Sequence, residues 1–152
     1  RWKGIQSREK ETNTRRFVSE KEQIVGKMQR TKGQVGEREF AKLIEDNLGI
    51  ECKRRIEQTR DSGHDLDLMD YAIEVKRAKK PNISGWWKQT VENAIEANMI
   101  PLLAYRLDNQ KWQVVMSFRH TLNTFGDCNM HDLEKTLTFR LDGWFEYVKQ
   151  RL

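Results

Sequence analysis

Apolar positions along this chain change period several times, and each change marks an element. From Ser7 to Arg30 the segment is mostly Glu, Lys, Arg and Gln, and Phe17, Ile24 and Met28 are spaced as in a weakly amphipathic helix. Lys32-Gly33 reads as a break. From Gln34 to Asn47 a clearer helix is expected, with Val35, Phe40, Leu43, Ile44 and Leu48 near a 3.6-residue period and Asn47 and Gly49 as stop signals. Ile50 to Ile56 alternates loosely and carries Lys53, Arg54 and Arg55, which predicts a strand with a basic face. Arg60-Asp61-Ser62-Gly63 reads as a turn.

Asp65 to Leu68 and Tyr71 to Ala78 read as two antiparallel strands joined at Met69-Asp70. After the loop from Pro81 to Gly85, a helix capped by Ser84 is expected to run to about Asn98, with Trp87, Val91, Ile95 and Met99 on its buried side. Leu102 to Leu107 and Trp112 to Met116 read as strands around the polar loop Asp108-Asn109-Gln110. Beyond Ser117 the pattern weakens to a strand at Thr136 to Leu141 and a terminal helix from Gly143 to Arg151. The order predicts an α/β fold, a mixed β-sheet flanked by helices.

Composition narrows the class. The chain has 152 residues, enough for one domain with a real core, and is 34% charged and 37% hydrophobic. Charges interrupt every apolar stretch, so no membrane span is expected. The start is charged rather than apolar and lacks an initiator Met, so it reads as no secretory leader and as a fragment of a longer product. Cys52 and Cys128 stand in no metal-ligand pattern, which fits thiols in a reducing, cytoplasmic setting. The net charge of +5 resides in residues 1–31, which hold nine Lys or Arg against four Glu; the remainder balances. Such an arm suits nucleic acid phosphates, or equally a solvated leader.

The chemistry concentrates in Ser62-Gly63-His64-Asp65-Leu66-Asp67-Leu68 and Ala72-Ile73-Glu74-Val75-Lys76. On a strand, Glu74 and Lys76 share one face while Ile73 and Val75 face the core. A hairpin over the nine residues from Asp65 to Glu74 is long enough to bring their carboxylates together. Two convergent carboxylates hold a hard divalent cation, which polarises a phosphate and acidifies a bound water. A neighbouring Lys stabilises charge on the phosphorus centre. Asp67 shares the face of Asp65 and is its rival for the role. For Glu74 and Lys76 the plain alternative is an exposed ion pair on an edge strand.

These residues resemble the PD-(D/E)XK nuclease superfamily: an Asp after a Gly-containing turn, then Glu-x-Lys on an apolar strand. Lys32-Gly33-Gln34-Val35-Gly36-Glu37-Arg38-Glu39-Phe40 looks like the first helix of archaeal-type Holliday junction resolvases. That likeness makes Glu37, or alternatively Glu39, the third acidic residue of a metal site formed with Asp65 and Glu74. Trp86 to Asn93 resembles the helix after the Glu-x-Lys strand, and assigns Gln89 the place of a Gln facing the site. Pro101 to Arg106 and Trp112 to Met116 look like the next strand pair of small phage-type resolvase-like nucleases, whose short Asp-to-Glu gap this chain shares.

The resemblance implies a restriction-endonuclease-like core at 32–116, with a basic arm at 1–31 and an extension at 117–152 packed on the core. It implies a Mg²⁺- or Mn²⁺-dependent endonuclease acting on DNA, branched DNA in particular, as a homodimer inside a bacterial host. The alternatives are a restriction- or repair-type nuclease and a DNA-binding module without catalysis. Lys32, Arg38, Lys53, Arg54, Arg55, Arg60, Arg77, Lys79 and Lys80 are the candidate phosphate contacts. His64 is expected to face solvent as loop histidines do, His120 and His131 to be structural, and one of Trp86 and Trp87 to offer a surface for base stacking, although the helical spacing of Trp87 suits the core better.

Overall fold

The computed structural model describes residues 3–55, 63–121 and 129–152, with side chains from Glu22 onward. The turn expected at Arg60 to Ser62, and Cys128, lie outside the described residues. The chain divides into two compact units, Arg1–Gln34 and Val35–Leu152. The first is helical. The second holds a six-stranded sheet in the order β1-β2-β3-β4-β5-β6.

Helix α1 runs Lys3–Leu48 and β1 is Lys53–Arg54; β2 is Leu66–Leu68 and β3 is Tyr71–Ala78. Helix α2 is Ile83–Glu96, followed by β4 at Ile100–Leu107, β5 at Gln113–Ser117 and the short α3 at Phe118–Thr121. A 3-10 turn at Leu133–Lys135 leads into β6 at Thr136–Arg140 and α4 at Leu141–Lys149. Every neighbouring pair of strands is antiparallel except β3 and β4, which are parallel because α2 carries the chain back between them. No helix among the described residues is long and apolar enough to cross a membrane.

Both faces of the sheet are covered. On one, Phe40, Ala41 and Ile44 of α1 and Trp144, Phe145 and Val148 of α4 pack on Leu66, Leu68, Ile73, Val75, Leu102, Ala104, Val114 and Met116. On the other, Trp87 and Val91 of α2 pack on Leu103, Tyr105 and Val115. This double coverage explains why β4 reads as a continuous apolar run and not as an alternation. Glu39 fixes α1 to the sheet: its carboxylate accepts from Arg106 Nη1 at 2.5 Å, Arg106 Nη2 at 2.9 Å and Trp112 Nε1 at 3.0 Å.

Several expectations need correction. Lys32-Gly33 is no break; α1 is helical across it, since an isolated Gly costs a helix only about 1 kcal/mol relative to Ala. Gly36 is needed for a different reason. A Cβ there would stand 2.7 Å from Arg77 Cδ and 2.8 Å from Cγ, so the glycine lets helix and strand approach. Val35 is 43% exposed and not part of the buried stripe. In α2 the buried side is Trp87, Thr90, Val91 and Ala94, while Ile95 is 52% exposed. Residues four apart drift about 40° around a helix, so Ile95 has rotated off the face that Trp87 began. Asn82 rather than Ser84 holds the N-cap of α2, without a side-chain hydrogen bond. The strand at residues 50–56 is reduced, among the described residues, to Lys53–Arg54. The terminal helix begins two residues earlier than expected and ends at Lys149.

Candidate active site

The register of the β2–β3 hairpin builds the site. Leu66 pairs with Ile73, Asp67 with Ala72 and Leu68 with Tyr71 across the two-residue turn Met69-Asp70. One step further along the same register Asp65 falls opposite Glu74, and its N–H donates to the Ile73 carbonyl at 2.9 Å. Residues directly opposite in an antiparallel pair share a face. Glu74 and Lys76 sit level with Leu103 and Tyr105 of β4, so the charged group occupies the α2 side of the sheet. β3 lies between β2 and β4, and Glu74 is 3% exposed. The pair is therefore not an exposed ion pair on an edge strand.

A buried carboxylate requires partners. Glu74 Oε1 accepts from Lys76 Nζ at 2.5 Å and Oε2 from Asn93 Nδ2 at 3.3 Å. Asp65 Oδ2 accepts from the backbone N–H of Val75 at 2.7 Å; its other oxygen has no hydrogen bond among the described residues. Burial, and then the Glu74 charge, push Asp65 up to about 7 against the pull of the Val75 N–H; Glu37 adds to the rise and Lys76 opposes it. The donor set is all hard oxygen, with two crowded carboxylates and one ammonium. It fits a divalent cation, whose charge would relieve the repulsion between them.

Asp67, the rival, is otherwise engaged. It bonds to His64 Nε2 and accepts from Arg55 Nε at 2.9 Å. Burial raises its pKa, but the bonds from His64 and Arg55 outweigh this and hold it below the usual carboxylate range. His64 does not face solvent: it is 1% exposed, because Asp67 supplies the partner that lets a polar ring be buried.

Glu37 lies near enough to act on Asp65, yet its Oε2 accepts from Arg54 Nη2 at 2.7 Å. Among the described residues, no group of three His, Cys, Asp or Glu side chains is assembled to hold a metal ion. The structure thus brings Asp65, Glu74 and Lys76 together and leaves Glu37 paired with Arg54. Glu39, the alternative, is occupied by Arg106, Trp112 and, at 3.7 Å, Arg77. Gln89 is exposed on α2. The α2 amide that touches the site is that of Asn93, one turn later, a residue to which the sequence pattern assigns no role. The only signal for it was a second amide four residues beyond Gln89, on nearly the same helix face.

Among the basic candidates, Arg54 and Arg55 are tied to Glu37 and Asp67. Arg38, Lys53, Lys79 and Lys80 are exposed, and Lys32 is partly buried. Trp87 is fully buried, with its Nε1 donating to the Met130 carbonyl at 2.8 Å, and Trp86 packs on Tyr105.

A mixed sheet whose central strand carries Glu-x-Lys, with an Asp opposite the Glu on a neighbouring hairpin strand, defines the PD-(D/E)XK class of restriction-endonuclease-like folds. The model of the family described as "Phage putative PDDEXK endonuclease" matches residues 28–142, about three quarters of the chain, and the chain belongs to that family. No curated protein matches the chain.

Proposed function

We propose that the chain is a Mg²⁺- or Mn²⁺-dependent endodeoxyribonuclease that cuts branched DNA, of the four-way junction kind, as a homodimer. The observation that carries this reading is the facing pair Asp65 and Glu74 with Lys76 on the same buried side of β3. Asp65 and Glu74 would hold the cation, and Glu37 adds negative charge beside them. A bound cation of this kind supplies Lewis acidity to a phosphate and acidifies water. Around it, the Val75 N–H fixes one oxygen of Asp65, and Asn93 and Lys76 fix those of Glu74. Lys76 carries the positive charge that stabilises the phosphate as it is attacked. Arg38, Lys79 and Lys80, exposed and without an ion pair among the described residues, suit phosphate contacts along the DNA. Gln89, exposed on α2 four residues before Asn93, is assigned to the DNA as well.

Branched DNA is favoured by the likeness of residues 32–40 to the first helix of junction resolvases; the short gap between Asp65 and Glu74 fits the phage-type nucleases better than the archaeal resolvases, whose gap is longer. A homodimer follows from the need for two symmetric cuts. The family's phage designation fits action on DNA inside a bacterial host.

The test is cleavage of a labelled four-way junction beside matched linear duplex, in Mg²⁺ or Mn²⁺, by wild type and Glu74→Ala. Paired junction cuts that vanish in the variant are expected. Equal cutting of both substrates would keep the nuclease and remove the branched specificity. Junction binding without cleavage in either metal would replace the enzyme by a binding module.

A further inference from the structure

Resting on the metal-dependent reading above, we infer that Asn93 is a positioning residue that sets the distance between the two metal-holding carboxylates. One primary amide has two N–H donors, and Asn93 uses both on the site. Nδ2 donates to the Gly63 carbonyl at 3.1 Å and to Glu74 Oε2 at 3.3 Å. Gly63 stands two residues before Asp65 and Glu74 lies on the opposite strand, so a single planar group ties the approach to Asp65 to the side chain of Glu74.

The need for such a tie is visible in the hairpin. The last ladder pair of β2 is Leu66 with Ile73, so Asp65 lies just past the end of the strand. Gly63 takes φ 133°, a backbone conformation that L side chains rarely adopt. Asp65 itself is held by its N–H, which donates to the Ile73 carbonyl at 2.9 Å, and by its carbonyl, which accepts from the Arg55 N–H at 3.2 Å; Gly63 lies two residues before these bonds, and Asn93 ties its carbonyl to α2. Asn93 is itself placed firmly, because Ala94 and Val91 beside it are fully buried against the sheet. Groups that fix ligand orientation in this way typically change metal affinity or activity by about 10–100-fold when removed.

Asn93→Ala and Asn93→Leu in the 152-residue chain are compared with wild type, the first removing the amide and the second replacing it by an apolar side chain branched at the same atom. Mn²⁺ binding is read directly from the paramagnetic resonance signal of free ion, without DNA, and thermal unfolding is recorded in parallel. The expected result is Mn²⁺ affinity weakened about tenfold in whichever variants fold, at nearly unchanged melting temperature. Where cleavage is observed, kcat at subsaturating metal falls and KM for DNA holds. Wild-type Mn²⁺ affinity in a folded variant overturns the role of Asn93. So does a variant whose lower affinity merely tracks its loss of folded protein. Failure of wild type itself to bind Mn²⁺ overturns the metal-dependent reading, and this inference with it.

Discussion

Asp65 is held where its ionised form is at a disadvantage, and the direction of that disadvantage predicts how the protein responds to pH. Its carboxyl sits at about 7 against an ordinary 3.8. Between those values the folded chain binds the proton and the unfolded chain does not. Without divalent metal, the contribution of this group to stability is therefore full below about pH 4 and is lost as pH rises through about 7. Asp65→Asn should abolish that dependence. It should stabilise the metal-free protein at pH 8 by on the order of 1 kcal/mol, a rise in melting temperature of roughly 2–4 °C, while eliminating cleavage. A variant no more stable than wild type at pH 8 would contradict the account of crowding at the site. Cys52 gives a second check. Burial first, then the charges of Glu45 and Asp67, push its thiol up to about 12. It should resist alkylation at pH 8 in the native state and react once the chain is unfolded, as peptide mapping would reveal.

At the scale of elements, two glycines of α1 should respond oppositely to the same change. Nothing lies within 4 Å of a Cβ built at Gly33, whereas at Gly36 it meets the aliphatic stem of Arg77. Gly33→Ala should stabilise by up to about 1 kcal/mol through helix propensity. Gly36→Ala should destabilise by about 1–3 kcal/mol as Arg77 is pushed from its place beside Glu39. Chemical denaturation of both variants measures the difference. The elements themselves were largely legible in the sequence. The hairpin from Asp65 to Ala78 and the strands β4 and β5 follow from alternation, apolar runs and turn residues. What escaped were features set by tertiary partners. His64 looked like a loop residue until Asp67 came within reach of it, and the buried face of α2 depended on where β4 and β5 lay. Asp65, Glu74 and Lys76 could be read because their spacing on one hairpin is local. Asn93 could not, because its two acceptors lie 30 and 19 residues away.

For the molecule as a whole, the two kinds of charge are separated along the chain. The basic excess belongs to residues 1–31, and the acidic pair belongs to the sheet. If the arm binds phosphates, deleting residues 1–31 should flatten the dependence of DNA binding on salt, because each phosphate that the arm no longer neutralises takes about 0.9 off the logarithmic slope. The sheet, with Asp65, Glu74 and Lys76, should keep its Mn²⁺ binding. An unchanged slope would assign the arm to something other than DNA.

The two-residue turn at Met69-Asp70 has an implication for how such a protein can diverge. Because Asp65 and Glu74 face one another through a single hairpin, the side of the sheet that each takes depends on the number of residues between them, whereas the contact from Asn93 bears on their spacing. One residue inserted or deleted there would exchange the faces of β2 and send Asp65 to the side occupied by α1 and α4. Length changes elsewhere leave those sides unchanged. The site is thus carried by a short cassette whose length is fixed, inside a chain whose connections are free to vary around it.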